Sequence, residues 1–417
     1  MFEFDEKIVE LSKKALENVK VEFDLIDGIT EFNQQKMLAA FINNNVSESM
    51  FSGTTGYGYS DRGREVLGRV FAEAVGAEDS IVRYNFTCGT HTLSVALFGV
   101  LRPGDTMLCV TGTPYDTIQP VIGINEKRIS GSLEDFGIKY KQVDLKADGT
   151  LDFAAIENAV DSSISMVYIQ RSRGYNLRPS LSVDEIGRIV EITRRKSSAV
   201  VMVDNCYGEW TEKREPTQVG ADLIAGSMIK NPGAGVARTG GYIAGRHDLV
   251  EKCADRLISP GIGREVGATL GMNRELFLGV YSAPHVVGEA MKSAAFAASL
   301  FNLLGFETTP VPGETRHDII QAIKLENEKN LIAFCRGIQK CSPVDAFATP
   351  EPWDMPGYDS KVVMAAGAFT LGSSIELSAD APLREPYAVW MQGGLNFHSA
   401  KLAIMSSADE VLKGLKK

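Results

Sequence analysis

Apolar and polar positions along this chain follow two rhythms. Near the start, Ile8, Leu11 and Leu16 recur at helical spacing, and LAAFI at 38–42 forms another apolar patch, which predicts a helical arm over about the first 45 residues. Short, largely apolar runs then take over at 80–84, 106–110, 138–143, 164–169, 199–203, 221–226 and 239–244. Runs of this kind mark strands buried on both faces. Helical segments are predicted over 64–75, in LSVALFGVL after Thr92, and over 153–160 and 183–194. Strands alternating with helices imply a mostly parallel sheet. Beyond about residue 283 the pattern changes. An Ala-rich helix over 286–304, a turn and strand in TTPVPGETRHDIIQAIKL, a helix over 326–340, short strands at 362–365, 374–377 and 388–391, and a helix after Asn396 are expected. The proline-rich loop FATPEPWDMPGYDSK has no period and reads as a connector or an active-site cover.

Composition narrows the classes. A chain of 417 residues is too long for one simple core, so two domains in close contact are expected. A net charge of −10, with no cluster of basic and aromatic residues, argues against nucleic acid as a partner. No apolar run approaches a membrane span. The acidic start MFEFDEKIVELSKK lacks the layout of a signal peptide. The six cysteines are scattered with no C-x-x-C, and the five histidines show no H-x-x-x-H, so no metal site and no disulfide framework are expected. The expectation is a cytoplasmic protein.

The chemistry gathers between residues 199 and 245. Asp204 directly follows one buried run, and Lys230 follows another through Ser227-Met228-Ile229. Ligands of open α/β sheets sit outside the carboxyl ends of strands, so the two side chains are candidates for one crevice. A lysine to bond the aldehyde and a carboxylate to hold the ring nitrogen protonated are what pyridoxal phosphate requires. Loss of the lysine's proton would be eased by burial near cations. Alternatively, Asp204 caps a turn and Lys230 lies on the surface. The run Gly233-x-Gly235-x-x-Arg238 is part of a dinucleotide fingerprint, but it lacks the third glycine and precedes a strand.

Asp204-Asn205-Cys206, Ala221-Asp222, Ser227-Met228-Ile229-Lys230 and Gly240-Gly241, in that order, resemble the lysine region of the Cys/Met-metabolism lyases among fold-type I pyridoxal phosphate enzymes. The phrases DNCYGE, GSMIKNPG and TGGYIAGR resemble a narrower group, the methionine γ-lyase-like aluminium resistance proteins, which are carbon–sulfur lyases. The likeness covers nearly the whole chain and is strongest over 51–245. It implies an α/β fold: a helical arm over 1–50, a large cofactor domain over 51–285 with a mostly parallel seven-stranded sheet, and a smaller α+β domain over 286–417.

The resemblance also implies roles. Cys88, Gly89 and Thr90, in a small-residue turn before a helix, would cradle the cofactor phosphate. Tyr115 would stack on the ring. Ser227 stands beside the lysine. Tyr59 and Arg62, in a loop with Gly53, Gly56, Gly58 and Gly63, parallel the family's Tyr-x-Arg, which reaches a neighbour's phosphate; the spacing is one residue longer here, and Tyr57 is a rival. A homodimer or a dimer of dimers (homotetramer) with shared sites is therefore implied. The family's substrate-carboxylate arginine is missing, because Trp390 or Met391 stands where it should fall in AVWMQGGL. Arg384 is the nearest substitute, and Arg173 and Asn176 in the loop at 170–176 are further substrate candidates. The expected reaction is elimination of a thiol from a sulfur amino acid of the cystathionine, cysteine or methionine type, giving a 2-oxo acid and ammonia. Transamination, γ-replacement, or a non-catalytic stress protein retaining the fold are the alternatives.

Overall fold

The computed structural model describes residues 2–124, 130–354 and 360–415. Its N-terminal arm is two helices, α1 (Glu6–Asn18) and α2 (Lys20–Asn43). The next part contains β1 (Asp79–Arg83), β2 (Thr106–Cys109), β3 (Lys139–Gln142), β4 (Met166–Gln170), β5 (Val200–Asp204), β6 (Leu223–Ser227) and β7 (Gly241–Gly245). Helices α3 (Arg62–Val75), α4 (Gly89–Val100), α5 (Gln119–Ile122), α6 (Phe153–Ala159), α7 (Val183–Lys196) and α8 (His247–Leu257) lie between and after them. The sheet order is β1-β7-β6-β5-β4-β2-β3, parallel throughout except that β7 runs against both its neighbours. Central strands β4, β5 and β6 are buried almost along their whole length, as their apolar runs predict.

Helix α9 (Asn273–Leu303) leads to β8 (Thr308–Thr309), β9 (Ile320–Lys324), α10 (Glu328–Lys340), β10 (Val362–Ala365), β11 (Ser378–Pro382), β12 (Ala388–Gln392) and α11 (Phe397–Leu415). These strands form an antiparallel sheet ordered β10-β11-β12-β9-β8. The α/β architecture is thus as expected, with a mostly parallel seven-stranded sheet and a smaller mixed region.

Several elements differ from expectation. Helix α9 begins thirteen positions before 286 and carries Pro284 inside it. An interior proline costs about 3 kcal/mol. Here Phe277, Val280, Ala283, Val287 and Met291 are buried on both sides of it, and that packing outweighs the lost bond. The same helix ends in a second core with Phe296, Leu300 and Phe301, so one rod joins both cores. Helix α8 was not expected; Leu249, Val250, Cys253 and Ala254 form its buried face. The strand expected at 374–377 is a short turn, Ser374–Glu376, and the strand follows it as β11. Helix α3 starts at Arg62 because the Asp61 carboxylate caps it by accepting the Arg64 N–H. The arm packs on α9 of its own chain through Ile8, Ala15, Ile26 and Met37, while Val21, Leu25 and Ile42 stay exposed. Part of the proline-rich loop, including Pro356, lies outside the described residues. Among the described residues no helix is long and apolar enough to cross a membrane.

Candidate active site

Strands β4, β5 and β6 are parallel neighbours, so Gln170, Asp204 and Ser227 end side by side. A cavity of about 200 Å3 opens there. Cys88, Gly89, Thr90, Tyr115, Asp204, Ser227 and Lys230 all line it. The glycine run behind Lys230 forms a tight turn, Asn231–Gly233, ahead of β7 and no helix, so it is not a nucleotide motif.

Asp204 is buried. Its Oδ1 accepts the Cys206 N–H at 3.1 Å, so it does cap a turn. Its Oδ2 takes a long contact, 3.5 Å, from the Tyr168 hydroxyl, and the Cys206 thiol also bonds the carboxylate. Burial pushes the carboxyl up, against the pull of Lys230 and the Cys206 amide. A carboxylate in such a place needs a cation. The Lys230 ammonium acts on it; its Nζ stands 4.1 Å from the centre of the Tyr207 ring. Burial pulls its ammonium down, but Cys206, Tyr207, Asp204 and Glu209 outweigh burial and hold it above the ordinary lysine value. Cationic neighbours would ease the loss of the lysine's proton. The structure surrounds the amine with acids instead.

Cys88 is the N-cap of α4, with its Sγ accepting the His91 N–H at 3.4 Å. The first-turn N–H groups of a helix have no partners within it, so Gly89 and Thr90 offer donors and the positive end of the helix to an anion. A Cβ on Gly89 would come within 3.5 Å of Ser227 Cβ and 3.8 Å of Cys206 Sγ, so any side chain there would enter the space between β5 and β6. Tyr115 is placed by its N–H, donated to Gln170 Oε1 at 2.7 Å. Arg178, buried beneath the loop, donates to the carbonyls of Gln170 and Ser172.

Three expected arginines fall elsewhere. In the bend and turn Ser172-Arg173-Gly174 after β4, the first and third residues line the cavity and Arg173 does not. It is buried, donates to the Thr309 carbonyl at 2.9 Å and pairs with Asp318 at 3.7 Å. Arg384 is exposed in the turn between β11 and β12 and is not brought to the cavity of its own chain. Arg62 is exposed too, as are Tyr57 and Tyr59, whose rings stack 5.4 Å apart. Their loop is firmly held. Arg64 donates to the carbonyls of Gly58 and Gly267 at 2.9 and 2.7 Å. Asp61 accepts from Thr54 and Thr269 at 2.5 and 2.6 Å. Gly58, at φ +63°, lies so close to the Ala268 backbone that a Cβ would approach to 2.6 Å. The loop therefore presents Tyr57, Tyr59 and Arg62 outward on a rigid base.

Sequence reasoning missed the loop after β5. Tyr207 adopts φ +71° and Trp210 φ +58°, conformations costing on the order of 1–3 kcal/mol each. Arg171 holds this loop, donating to Asn205 Oδ1 and the Gly208 carbonyl, both at 2.8 Å, and pairing with Glu212. Glu209 sits beneath, accepting the Tyr242 hydroxyl at 2.8 Å. Burial pushes its carboxyl up to about 8. The signal was the phrase DNCYGE itself, whose Tyr207 and Glu209 carried no role by pattern.

The strand order, and the crevice at the strand ends, are those of the fold-type I pyridoxal-phosphate-dependent enzymes. The methionine γ-lyase family pattern matches residues 8–412. The chain belongs to the methionine γ-lyase family, a family of pyridoxal-phosphate-dependent lyases. It is 48% identical to a protein of Clostridium acetobutylicum named as a candidate cystathionine β-lyase involved in aluminum resistance, over 98% of this chain and 96% of that one, with a TM-score of 0.95. It is also 48% identical to a carbon-sulfur lyase involved in aluminum resistance from Clostridium novyi NT, over 97% and 96% of the two chains, at a TM-score of 0.93. The pyridoxal-5'-phosphate-dependent protein YhfS of Escherichia coli shares the fold at 15% identity, over 92% and 96% of the chains, at a TM-score of 0.61.

Proposed function

We propose that this chain binds pyridoxal 5'-phosphate at the ends of β4 to β6 and cleaves the carbon–sulfur bond of a sulfur-containing amino acid. The observation that carries this reading is the convergence of Lys230, Asp204 and the open end of α4 on one cavity. The residues fit the cofactor: Asp204 is a buried carboxylate at a strand end on the cavity, and Gly89 keeps the space before α4 clear. When bound, the cofactor supplies an electron-withdrawing ring that stabilises negative charge at the substrate's α-carbon.

The chain's own residues do the rest. Asp204 keeps the ring nitrogen protonated. Pairing Asp204 with that cation weakens its hold on the Lys230 ammonium and brings the lysine's proton within reach of loss. Lys230 Nζ then takes the proton from the substrate α-carbon. Tyr115 covers the ring face. Gly89 and Thr90 N–H groups, the Cys88 turn and the Ser227 hydroxyl hold the phosphate. The C–S bond breaks, sulfur leaves with the electron pair and takes a proton, and water converts the released enamine to a 2-oxo acid and ammonia.

Among the described residues no arginine lines the cavity, and these leave a phosphate dianion there without a full counter-charge. Tyr59 and Arg62 of a second copy would supply it, which makes the working unit a homodimer or a dimer of dimers. The scattered cysteines, all unpaired, support a reducing compartment, the cytoplasm. The test is direct. Purified protein should be yellow, and borohydride reduction followed by peptide mapping should label Lys230. The protein should release thiol, ammonia and 2-oxo acid from a panel of sulfur amino acids. A colourless protein, or a label on another lysine, refutes the assignment; 2-oxo acid without thiol points to transamination.

A further inference from the structure

Helix α2 is apolar on two sides, and its own chain covers one of them. Ile26, Met37 and Ala40 are buried in the core shared with α9, and Asn33 Nδ2 anchors that side on the Trp210 and Glu212 carbonyls at 3.1 and 2.9 Å. Val21, Leu25, Phe32, Ala39 and Ile42, with Gly28 and Gln35 between them, form the other side, and all seven are exposed. Val21, Leu25 and Ile42 are 72%, 66% and 65% exposed. The steps along this line are alternately four and three residues. That is the heptad spacing of a seam between two helices, whereas a helix packed on one core needs a single stripe.

Gly28 is an independent sign of a second helix. A glycine inside a helix costs about 1 kcal/mol relative to alanine. Nothing in this chain lies within 4 Å of where its Cβ would stand, so packing within the chain does not call for glycine there. Close approach of another backbone does.

The two edges of the seam differ in charge. On one edge Lys36 Nζ donates to the Lys213 carbonyl at 3.3 Å, and both ammonium groups stand by the Phe32 ring, at 5.9 and 5.4 Å. Glu22, on the same edge, is committed to Arg316 at 2.8 Å. On the other edge Asp24 and Glu31 are exposed. In an antiparallel pair like edges meet, which sets Glu31 against its own counterpart. In a parallel pair unlike edges meet, and a residue on one edge faces the residue five positions on in the other helix. Five positions on from Glu31 is Lys36.

We propose that a second copy of this chain docks on α2, parallel and about a two-fold axis, with Val21, Leu25, Phe32, Ala39 and Ile42 each meeting its own counterpart and Glu31 facing Lys36 of the partner subunit. This face is separate from the Tyr59–Arg62 loop. Asn43 and Asn44 at the end of α2 bond Glu73 in the last turns of α3, at 2.6 and 2.8 Å, whereas Arg62 begins α3. The seam stands without the lyase reading. Joined to the Arg62 contact proposed above it makes a dimer of dimers; alone it makes a dimer.

Sedimentation velocity tests it. Wild type should sediment as an assembly of twice the mass of Leu25→Glu, in which two carboxylates would meet across the axis. That variant should keep the wild-type circular dichroism, because the position is exposed. Glu31→Lys should weaken the association by about tenfold or more, and less so at high salt. Under mild oxidation Ile42→Cys should link chain to chain through position 42, while wild type stays unlinked. Equal masses for wild type and Leu25→Glu overturn the proposal. Links that form only when Ile42→Cys is mixed with Val21→Cys overturn its parallel arrangement, since an antiparallel pair sets position 42 against position 21. A colourless protein whose mass still halves in Leu25→Glu sinks the lyase reading and upholds the seam.

Discussion

The two walls of the crevice are built by different rules. On one side the groups sit at the ends of β4, β5 and β6, strands paired on both edges and buried on both faces. Asp204 cannot move without disturbing the ladders to β4 and β6. In the smaller sheet Asp380 and Trp390 project from the middle of antiparallel strands whose opposite face is already committed to a core, and Trp390 reaches the crevice only through Tyr175 and Tyr207. Side chains on that wall are exchangeable, because alternation keeps the core intact whichever residue faces the crevice. The side built on β4 to β6 is thus set by backbone topology, and the face of the smaller sheet by side-chain choice on a fixed frame.

The strongest blow to the first wall is Lys230→Ala. Turnover should fall by roughly 10^3-fold or more while the circular dichroism spectrum stays that of wild type. Asp204→Asn comes next: the cofactor should bind more weakly and turnover drop by about 10^2-fold or more, since an amide cannot hold the ring nitrogen protonated. Turnover near normal would place Asp204 outside the chemistry.

A subtler break asks whether one chain supplies both walls and the phosphate counter-charge. Arg62→Ala and Lys230→Ala should each be nearly inactive. Mixed and allowed to exchange subunits, they should recover up to about a quarter of wild-type activity, because about half the dimers carry one intact site of two. No recovery despite proven exchange would mean that Arg62 serves its own chain's site or none.

The floor of the first wall has a signature in stability. Glu209 has its folded-state value near 8, above that of an unfolded glutamate. Its contribution is therefore fully present below about pH 4.3 and is lost as pH rises through about 8. Relative to Glu209→Gln, the wild-type melting temperature should fall by several degrees between pH 5 and pH 9. A constant difference between the two proteins would show that Glu209 does not change its protonation in that range. The smallest effect is expected on the second wall's outer rim. Arg384→Ala should leave kcat/KM within about 2-fold, because the side chain is exposed in a hairpin turn. A tenfold rise in KM would return Arg384 to the substrate site.

Much of the first wall was legible in the chain. Apolar runs of strand length ending in Asp204 and leading to Lys230 state a local rule, and parallel strands bring their ends together by topology alone. The turn at Cys88–Gly89–Thr90 was readable for the same reason: capping is local. Helix α9 was misjudged at its start because Pro284 is a local stop signal, and only two-sided burial overrides it. Arg173 illustrates the limit. Its loop was correctly found, but whether Arg173 meets the cavity or Asp318 depends on the course of an irregular turn and on a carboxylate 145 residues further along the chain.

The sequence by itself determined the strand–helix alternation, the α/β class and the carboxylate–amine pair, since these follow from periodicities and signals within a few residues of each other. Only the tertiary structure decided which charges stand around that pair. The acids facing Lys230, and the turn that puts Tyr207 beneath it at positive φ, come from the segment after β5, which only the pairing of β5 with β6 brings to the lysine. Electrostatics and burial act through space, and the distance between two residues along a chain does not state the distance between their charges.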